Sequence, residues 1–279
     1  APAPRRRALG GEAEGAGGEA DLERLREQLS RSWDSGPGAG DAGRRVEAIA
    51  EPSSAGPGSV LLGNPKAFAR VTDRAGAGSV GTIGGPSGWV LKVAGWLGIG
   101  GMDMVADLPR WKRSRWLPVV LLTERNADGS GVGVALTART GRLLGDYEGP
   151  RAFMARPLHW GGPARGPLRL VHSYPQVPGA VPLGDTGLYA GGSLDDAQAW
   201  VTEGQGSSLR FRFFVGTVRW GRGELDAELR DGRWFPVRCS AECVLDESED
   251  LGGQALWAEL ATAAGGPAAE AASTYDLLT

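Results

Sequence analysis

Cysteine and histidine are scarce in this sequence of 279 residues, with two of each. Two thiols, Cys239 and Cys243, are too few for a disulfide framework or for a zinc site with four thiolate ligands. Two imidazoles, His159 and His172, leave most metal sites and histidine-based proton relays without enough groups. The sequence therefore predicts no metal site, no cofactor and no catalytic residue, and the low cysteine content favours a reducing compartment.

Excess positive charge and long apolar runs are also missing. The formal net charge is -3, and only three of the 30 basic residues are lysine. An acidic chain has no global attraction to phosphate, so nucleic acid is disfavoured as a partner. The longest apolar stretch, at 88–102, is rich in glycine, contains Lys92 and is shorter than the roughly 18 residues of a membrane helix. The sequence therefore predicts no membrane span.

Glycine and proline are abundant, with 46 and 18 residues, and they separate the chain into segments. Residues 1–19 lack apolar periodicity and are predicted to be a disordered tail or the remnant of a transit peptide. Residues 20–57 are predicted to hold an N-terminal helix and a linker. The main domain is predicted over 58–264, with a glycine-rich insertion at 70–108, and a C-terminal tail or helix follows over 265–279.

Hydrophobic periodicity predicts strands mixed with short helices. A hairpin is expected over 116–136, because two apolar runs flank a turn at 126–130. Ser193 and Asp196 form a capping box, which predicts the start of a helix. Since no regular βαβ repeat is present, the fold class is predicted to be α+β. Further strands are predicted at 59–62, 168–172, 188–190, 209–218, 234–237 and 243–245, and further helices at 21–33, 224–230 and 254–264, with a break at Gly266 and Pro267.

Two motifs resemble catalytic or cofactor signatures but lack the context that the chemistry needs. Residues 76–81 match the glycine spacing of a dinucleotide-binding loop, yet no helix pattern follows them, so a flexible loop is the better interpretation. His172 is next to Ser173, but neighbours in a strand point to opposite faces. A strand histidine satisfied by a backbone partner is therefore predicted in place of a nucleophile and its base.

Two further pairs of reactive side chains have structural interpretations. Cys239 and Cys243 are four residues apart in a segment with strand character, and we interpret them as buried inert thiols rather than as a redox pair. Glu224 and Glu228 lie on one face of the predicted helix at 224–230, where exposed surface charge is the expectation.

The segment at 110–116 interleaves four cations with two tryptophans. This composition suits phosphate contact combined with base stacking. A solvated lead-in to a strand is the alternative interpretation, because the acidic remainder of the chain opposes nucleic acid. The candidate nucleic-acid patch consists of Arg110, Lys112, Arg113 and Arg115.

Several ordered blocks of the sequence resemble the YqgE/AlgH family of uncharacterised proteins (UPF0301/DUF179-like), in its longer plant and algal form. Trp160-Gly-Gly-Pro163 followed by Leu170-Val-His-Ser173 is similar to the turn and strand of that family. The most specific block begins with Arg212-Phe-Phe-Val-Gly216 and continues through Trp220-Gly-Arg-Gly-Glu-Leu225. Other similar blocks are at 59–65, 187–195 and 228–234.

The resemblance implies an α+β fold with a bent, barrel-like mixed or antiparallel sheet, flanked by helices and preceded by a flexible N-terminal extension. It implies no agreed activity. The function is accordingly predicted to be that of a non-enzymatic binding or regulatory protein that acts through an unknown protein partner. The predicted location is the chloroplast stroma for a plant or algal source, and the cytoplasm otherwise.

Two other functions stay open at this point. One is a small-molecule-binding protein or enzyme with a pocket near the Gly-Gly-Pro turn, and the other is a regulator associated with RNA or DNA. The candidate binding surface consists of Trp160, Gly161, Gly162, Pro163, His172, Ser173, Trp220, Gly221, Arg222 and Glu224.

Overall fold

A computed structural model of the protein describes residues 45–65, 117–147, 149–246 and 255–274. All of these residues belong to one unit of the fold, Asp41–Thr279. The helix predicted at 21–33, the insertion predicted at 70–108 and the candidate nucleic-acid patch lie outside the described residues, so they stay predictions.

Six strands form an antiparallel sheet, here called sheet A. Their bounds are β1 (Val46–Ala48), β2 (Ser59–Gly63), β3 (Val119–Arg125), β4 (Gly131–Ala135), β11 (Val218–Trp220) and β12 (Trp234–Cys239). The order across the sheet is β1-β12-β2-β3-β4-β11. The predicted hairpin is confirmed, because β3 pairs with β4 and the backbone N–H of Asn126 donates to the carbonyl of Ser130 at 3.0 Å.

The remaining six strands of the described residues form a second sheet, sheet B. Their bounds are β5 (Arg139–Leu143), β6 (Pro157–Trp160), β7 (Arg169–His172), β8 (Ala180–Pro182), β9 (Tyr189–Gly191) and β10 (Phe211–Val215). The order is β5-β6-β10-β7-β9-β8, in which only β6 and β10 run parallel. The strands predicted near β7, β9 and β10 are confirmed. Strands β5, β6 and β8 were not predicted, because they are short and their apolar residues do not alternate.

The two sheets are joined at the turn that follows β6. The backbone N–H of Ala135 donates to Gly161 O at 2.9 Å, and Gly161 N–H donates to Val215 O at 2.7 Å. A single β-bridge then pairs Ala164 with Thr217. The α+β class is confirmed, and within the described part of the chain the strands form two linked open sheets without a closed barrel.

The described residues include five α-helices. Their bounds are α1 (Leu194–Thr202), α2 (Glu224–Arg230), α3 (Ala241–Leu245), α4 (Leu256–Ala264) and α5 (Gly266–Thr274). Helix α1 begins as predicted, because Ser193 Oγ accepts a hydrogen bond from the backbone N–H of Asp196 at 3.2 Å. Among these helices, none has both the length and the apolar composition needed to cross a bilayer.

Two predictions near the C-terminus differ from the structure. The strand predicted at 243–245 is wrong, because these residues belong to α3; a short buried apolar run has no period that separates a strand from a helix. The break predicted at Gly266 and Pro267 is only a brief interruption, since α4 ends at Ala264 and α5 begins at Gly266. Proline is tolerated there because the first turn of a helix needs no N–H donors.

The core of the domain lies on both faces of sheet A and on both faces of the central strands of sheet B. Along β2, Val60 and Leu62 belong to the cluster that packs against α3, α4 and α5, whereas Leu61 belongs to the cluster under α2. Strand β10 likewise buries both faces, with Phe213 on the α1 side and Phe214 in the main cluster. A strand that is buried on both faces has a continuous run of apolar residues, which explains why the apolar residues of β2 and β3 do not alternate with polar ones.

Candidate functional site

An apolar cleft of about 600 Å³ lies between α1, strands β6 and β10 of sheet B and the segment that follows β5. A cleft of this size is within the range of binding pockets, and its lining is mainly aliphatic and aromatic. The first turns of helix α1, which begins after its N-cap residue Ser193, form one wall of the cleft. We call this surface the apolar cleft. Its described lining residues are Leu144, Tyr147, Gly149, Pro150, Leu158, Leu168, Leu194, Asp195, Gln198 and Val215.

Two of the apolar side chains that line the apolar cleft are exposed. Tyr147 is 56% exposed and Leu168 is 37% exposed. Leu143 and Met154, which do not line the cleft, are also exposed in the neighbouring segment, where the backbone N–H of Gly145 donates to the Met154 carbonyl at 3.0 Å. Exposed apolar residues that are scattered singly need no explanation, but a group beside an apolar cleft indicates a contact surface.

Two polar side chains on α1 line the apolar cleft. Asp195 is the one charged residue among the described lining residues. The side-chain oxygen Oε1 of Gln198 is buried, and no donor from the described residues reaches it. Buried acceptors are normally hydrogen-bonded, so this carboxamide has an acceptor available for a bound group. The cleft thus combines an apolar lining with a negative charge and an acceptor.

Glu228 lies on α2, in the block at 228–234 that resembles the family, and its carboxylate is buried. Its Oε2 accepts hydrogen bonds from the indole N–H groups of Trp220 and Trp234, both at 2.8 Å. Burial raises the pKa of the Glu228 carboxyl, and the two indole hydrogen bonds partly oppose that rise. The expectation that Glu228 is an exposed surface charge is wrong, because helix α2 packs this face against sheet A.

His172 on β7 is buried and has two backbone partners, as predicted. The backbone N–H of Tyr174 donates to His172 Nδ1 at 3.2 Å, and His172 Nε2 lies 3.0 Å from the carbonyl of Gly191. Because Nδ1 accepts, Nε2 carries the proton and the ring is neutral. Burial lowers the pKa of His172, and the hydrogen bond from Nε2 to the Gly191 carbonyl opposes that fall. This geometry gives His172 a structural role in joining β7 to β9.

Arg212 on β10 is a buried cation that joins three elements. Its Nη1 donates to Val244 O at 2.7 Å, and its Nη2 donates to Leu136 O at 3.0 Å. The same Nη2 lies 2.8 Å from His159 Nε2. Since arginine is only a donor, His159 Nε2 accepts, and His159 is neutral with its proton on Nδ1. Arg212 therefore acts as an internal tie between the sheets and α3.

The Gly-Gly-Pro turn is a point of close backbone packing. A Cβ atom added at Gly161 would lie 2.4 Å from Gly216 O, and one added at Gly162 would lie 2.2 Å from the carbonyl carbon of Thr217. Gly162 also has a φ of +147°, which side-chain-bearing residues rarely adopt. The glycines are required here because two chain segments meet without space for side chains.

The two cysteines are buried and reduced. Cys239 ends β12 and Cys243 lies in α3, so they do not share a strand as predicted. A hydrogen bond with the Cys243 thiol and then burial raise the pKa of Cys239 far above its ordinary value. A thiol held in its protonated form is a poor nucleophile, which fits the interpretation as inert thiols.

The structure divides the predicted binding surface into three separate places. Trp160, Gly161, Gly162 and Pro163 lie at the junction of the sheets, and His172 and Ser173 lie at the end of β7. Trp220, Gly221, Arg222 and Glu224 form the turn into α2, where the Gly221 N–H donates to Glu224 at 2.7 Å. None of the ten lines the apolar cleft, and as a binding surface they stay a prediction.

Sequence reasoning did not identify the apolar cleft. Its walls come from segments distant in the chain, and they have no common motif or spacing. The one local signal was the group of large apolar residues at 143–154, a segment without helical or strand periodicity. Within the described ranges, no group of three or more histidine, cysteine, aspartate or glutamate side chains is placed to hold a metal ion.

Comparison with known proteins gives the same family as the sequence blocks. A family model described as DUF179: AlgH-like matches residues 111–269, more than half of the chain. A UPF0301 protein of Bacteroides thetaiotaomicron is 28% identical over 141 residues, which covers 50% of this chain and 71% of that protein. UPF0301 protein CT0663 of Chlorobaculum tepidum is 27% identical over 171 residues, which covers 61% of this chain and 86% of that protein.

Two solved structures are also similar to the chain. The crystal structure of protein DIP2367 from Corynebacterium diphtheriae has a TM-score of 0.43 and 19% identity, and it covers 55% of this chain and 81% of its own. The solution structure of the AlgH protein from Pseudomonas aeruginosa has a TM-score of 0.40 and 20% identity. The match covers 52% of this chain and 81% of the AlgH chain. The family model, which spans β3 to the start of α5, carries the assignment: the chain belongs to the AlgH-like (DUF179) family of uncharacterised proteins.

Proposed function

We propose that this protein is a non-enzymatic binding module that recognises another protein through the apolar cleft. The observation that carries the proposal is the exposure of apolar side chains that line the cleft, above all Tyr147 and Leu168. Protein interfaces have apolar and aromatic centres surrounded by polar residues. The cleft has this composition, because its lining is mostly apolar and Asp195 lies on its α1 wall.

The chemistry of the α1 wall supports a particular kind of partner segment. Asp195 and Asp196 both lie in the first turn of α1, so this wall carries negative charge. Gln198 Oε1 supplies an acceptor that a backbone or side-chain N–H of a partner would satisfy. A partner segment with an apolar side chain for the cleft and a neighbouring lysine or arginine for Asp195 fits these features.

The setting of the interaction is part of the proposal. We propose a plastid for a plant or algal source and the cytoplasm otherwise. The relatives compared above are bacterial, and this is compatible with the second setting. A fluorescent fusion of the full-length protein, imaged in cells of the source organism, separates the two.

Affinity purification of the full chain from native extract tests the proposed function. The wild type is compared with Leu168→Asp, which places a charge at the apolar cleft. Leu209→Asp is the matched control, because Leu209 is 48% exposed and does not line the cleft. We expect a set of proteins that wild type and Leu209→Asp both recover and that Leu168→Asp does not, with and without nuclease treatment.

Two results of this experiment contradict the proposal. Equal recovery by the wild type and Leu168→Asp would show that the apolar cleft is not the contact surface. Recovery that nuclease abolishes would favour the nucleic-acid alternative and direct attention to Arg110, Lys112, Arg113 and Arg115. The folding of each variant is checked first by its thermal unfolding midpoint.

A further inference from the structure

A second and smaller cleft, of about 240 Å³, lies between the two sheets. We call it the inter-sheet cleft. Strands β3 and β4 of sheet A supply one side, and β7, β8 and β9 of sheet B supply the other. Its apolar lining includes Val134, Val171, Val181 and Ala190; Val134 and Val171 are buried, whereas Val181 is 60% exposed. The inter-sheet cleft shares no lining residue with the apolar cleft.

An arginine and a glutamate both line this apolar cavity. Arg169 Nη1 lies 3.5 Å from Glu124 Oε1, so the ion pair is long and has a single contact. The Arg169 side chain is 35% exposed and that of Glu124 is 51% exposed. The Arg169 Nε atom is buried, and no acceptor from the described residues reaches it. The guanidinium therefore has donor capacity that the ion pair does not use.

The charges of this pair restrict the ligand. Arg169 and Glu124 together are neutral, so a ligand with only a carboxylate would leave Glu124 beside a like charge. A ligand with only an ammonium group would place a positive charge beside the positive charge of Arg169. A zwitterion satisfies both, because its carboxylate pairs with the guanidinium and its ammonium pairs with the carboxylate. Its apolar part would lie on Val171, Ala190 and Val181, which are cross-strand neighbours on one face of sheet B.

The volume of the cleft limits the size of the zwitterion. At about 240 Å³ the cleft is smaller than the clefts of roughly 300–1,000 Å³ that hold drug-sized ligands. An aliphatic α-amino acid of the size of leucine, with about nine non-hydrogen atoms, is a ligand of correspondingly small size. We propose that the inter-sheet cleft binds a small apolar α-amino acid, with Arg169 as the carboxylate ligand and Glu124 as the ammonium ligand. This inference does not depend on the function proposed for the apolar cleft.

Titration of the full chain with three matched probes tests the inference. The probes are L-leucine, 3-methylbutylamine, which lacks the carboxylate, and 4-methylpentanoate, which lacks the ammonium group. Backbone amide NMR signals of Gly179 and Gly191, which line the cleft, report on binding. We expect saturable shifts with L-leucine, and binding at least about tenfold weaker for each of the other probes, because each leaves one charge unpaired.

Variants connect the binding to the two charged residues. Arg169→Gln and Glu124→Gln are each expected to weaken L-leucine binding at least about tenfold. Arg238→Gln is the matched control for arginine, since Arg238 is an exposed residue of β12 and does not line the cleft. Glu47→Gln, on the exposed part of β1, is the control for glutamate. Both controls are expected to bind as the wild type does.

The inference fails under any of three results. The first is the absence of saturable shifts with L-leucine, and the second is binding of 4-methylpentanoate or the amine as tight as that of L-leucine. The third is unchanged binding by Glu124→Gln. Glu124 is half exposed, so this variant stays informative even if Arg169→Gln does not fold. The probe comparison needs no variant at all.

Discussion

Trp234 donates its indole N–H to the carboxylate of Glu228 at 2.8 Å, although both side chains are buried. Trp220 donates to the same oxygen, and the two indole rings are 6.2 Å apart in an edge-to-face arrangement. Their strands, β11 and β12, are four positions apart in sheet A, which corresponds to about 19 Å in a flat sheet. Sheet A is therefore bent, and Glu228 joins side chains from β11 at one edge and from β12, the strand next to the other edge.

Removal of the Glu228 carboxylate should destabilise the domain. Glu228→Ala leaves two buried indole N–H groups without an acceptor, and we expect the free energy of unfolding to fall by about 3 kcal/mol. Glu228→Gln keeps an acceptor oxygen and should remain within about 1 kcal/mol of the wild type. Urea unfolding, followed by tryptophan fluorescence, measures both. An equal loss in the two variants would contradict the role of the shared acceptor.

The raised pKa of Glu228 predicts a pH dependence of stability. Below the ordinary value of 4.5 the carboxyl is protonated in both the folded and the unfolded protein, and its contribution is complete. As the pH rises, the unfolded protein loses this proton first, so the contribution declines until the folded pKa is passed. From about pH 4.5 upward, the unfolding free energy of the wild type should therefore fall relative to that of Glu228→Gln. A constant difference would contradict the raised pKa.

The lowered pKa of His172 predicts the opposite slope. Its contribution is present above the ordinary value of 6.5 and declines as the pH falls below it, because the unfolded protein takes up the proton first. NMR titration of the imidazole signals should give a midpoint below 6.5 and the tautomer with the proton on Nε2. A midpoint at or above 6.5 would show that the ring is not held neutral by burial.

Substitution of Gly162 should be far more harmful than substitution of another glycine in the same region. Gly162→Ala places a Cβ atom within 2.2 Å of Thr217 and requires a φ that alanine rarely adopts. We expect a loss of at least about 3 kcal/mol in unfolding free energy. Gly166→Ala is the control, since nothing lies within 4 Å of its Cβ position. Chemical unfolding of the two proteins measures the difference, and similar losses would refute the packing argument.

The two thiols should be unreactive in the folded protein. Both cysteines are buried, and the pKa of Cys239 is raised, so little thiolate is present at neutral pH. A thiol-specific chromogenic reagent should label neither residue in native protein and both in denaturant. Rapid labelling of the native protein would reopen the interpretation as a redox pair.

Local patterns predicted much of the secondary structure. The alternating runs around 126–130 predicted the β3–β4 hairpin, and the Ser193 capping box predicted the start of α1. These features depend on residues that are close in the chain, so a short window contains the information. Strands β5 and β8 were missed because their sequences have no apolar alternation, and pairing with β6 and β9 determines their conformation.

The sequence by itself determined the α+β class, the hairpin, helices α1 and α2, and the family. Each of these depends on a pattern of neighbouring residues or on blocks that occur in a fixed order. Only the tertiary structure decided the environment of Glu228. Helical spacing alone predicts that Glu228 lies on the exposed face of α2, whereas the structure buries it. It also decided both clefts, since Leu168 and Gln198 line one cleft, and Arg169 meets Glu124 in the other, only after distant parts of the chain come together. Burial and cleft formation depend on contacts between residues far apart in the chain, and no local period records those contacts.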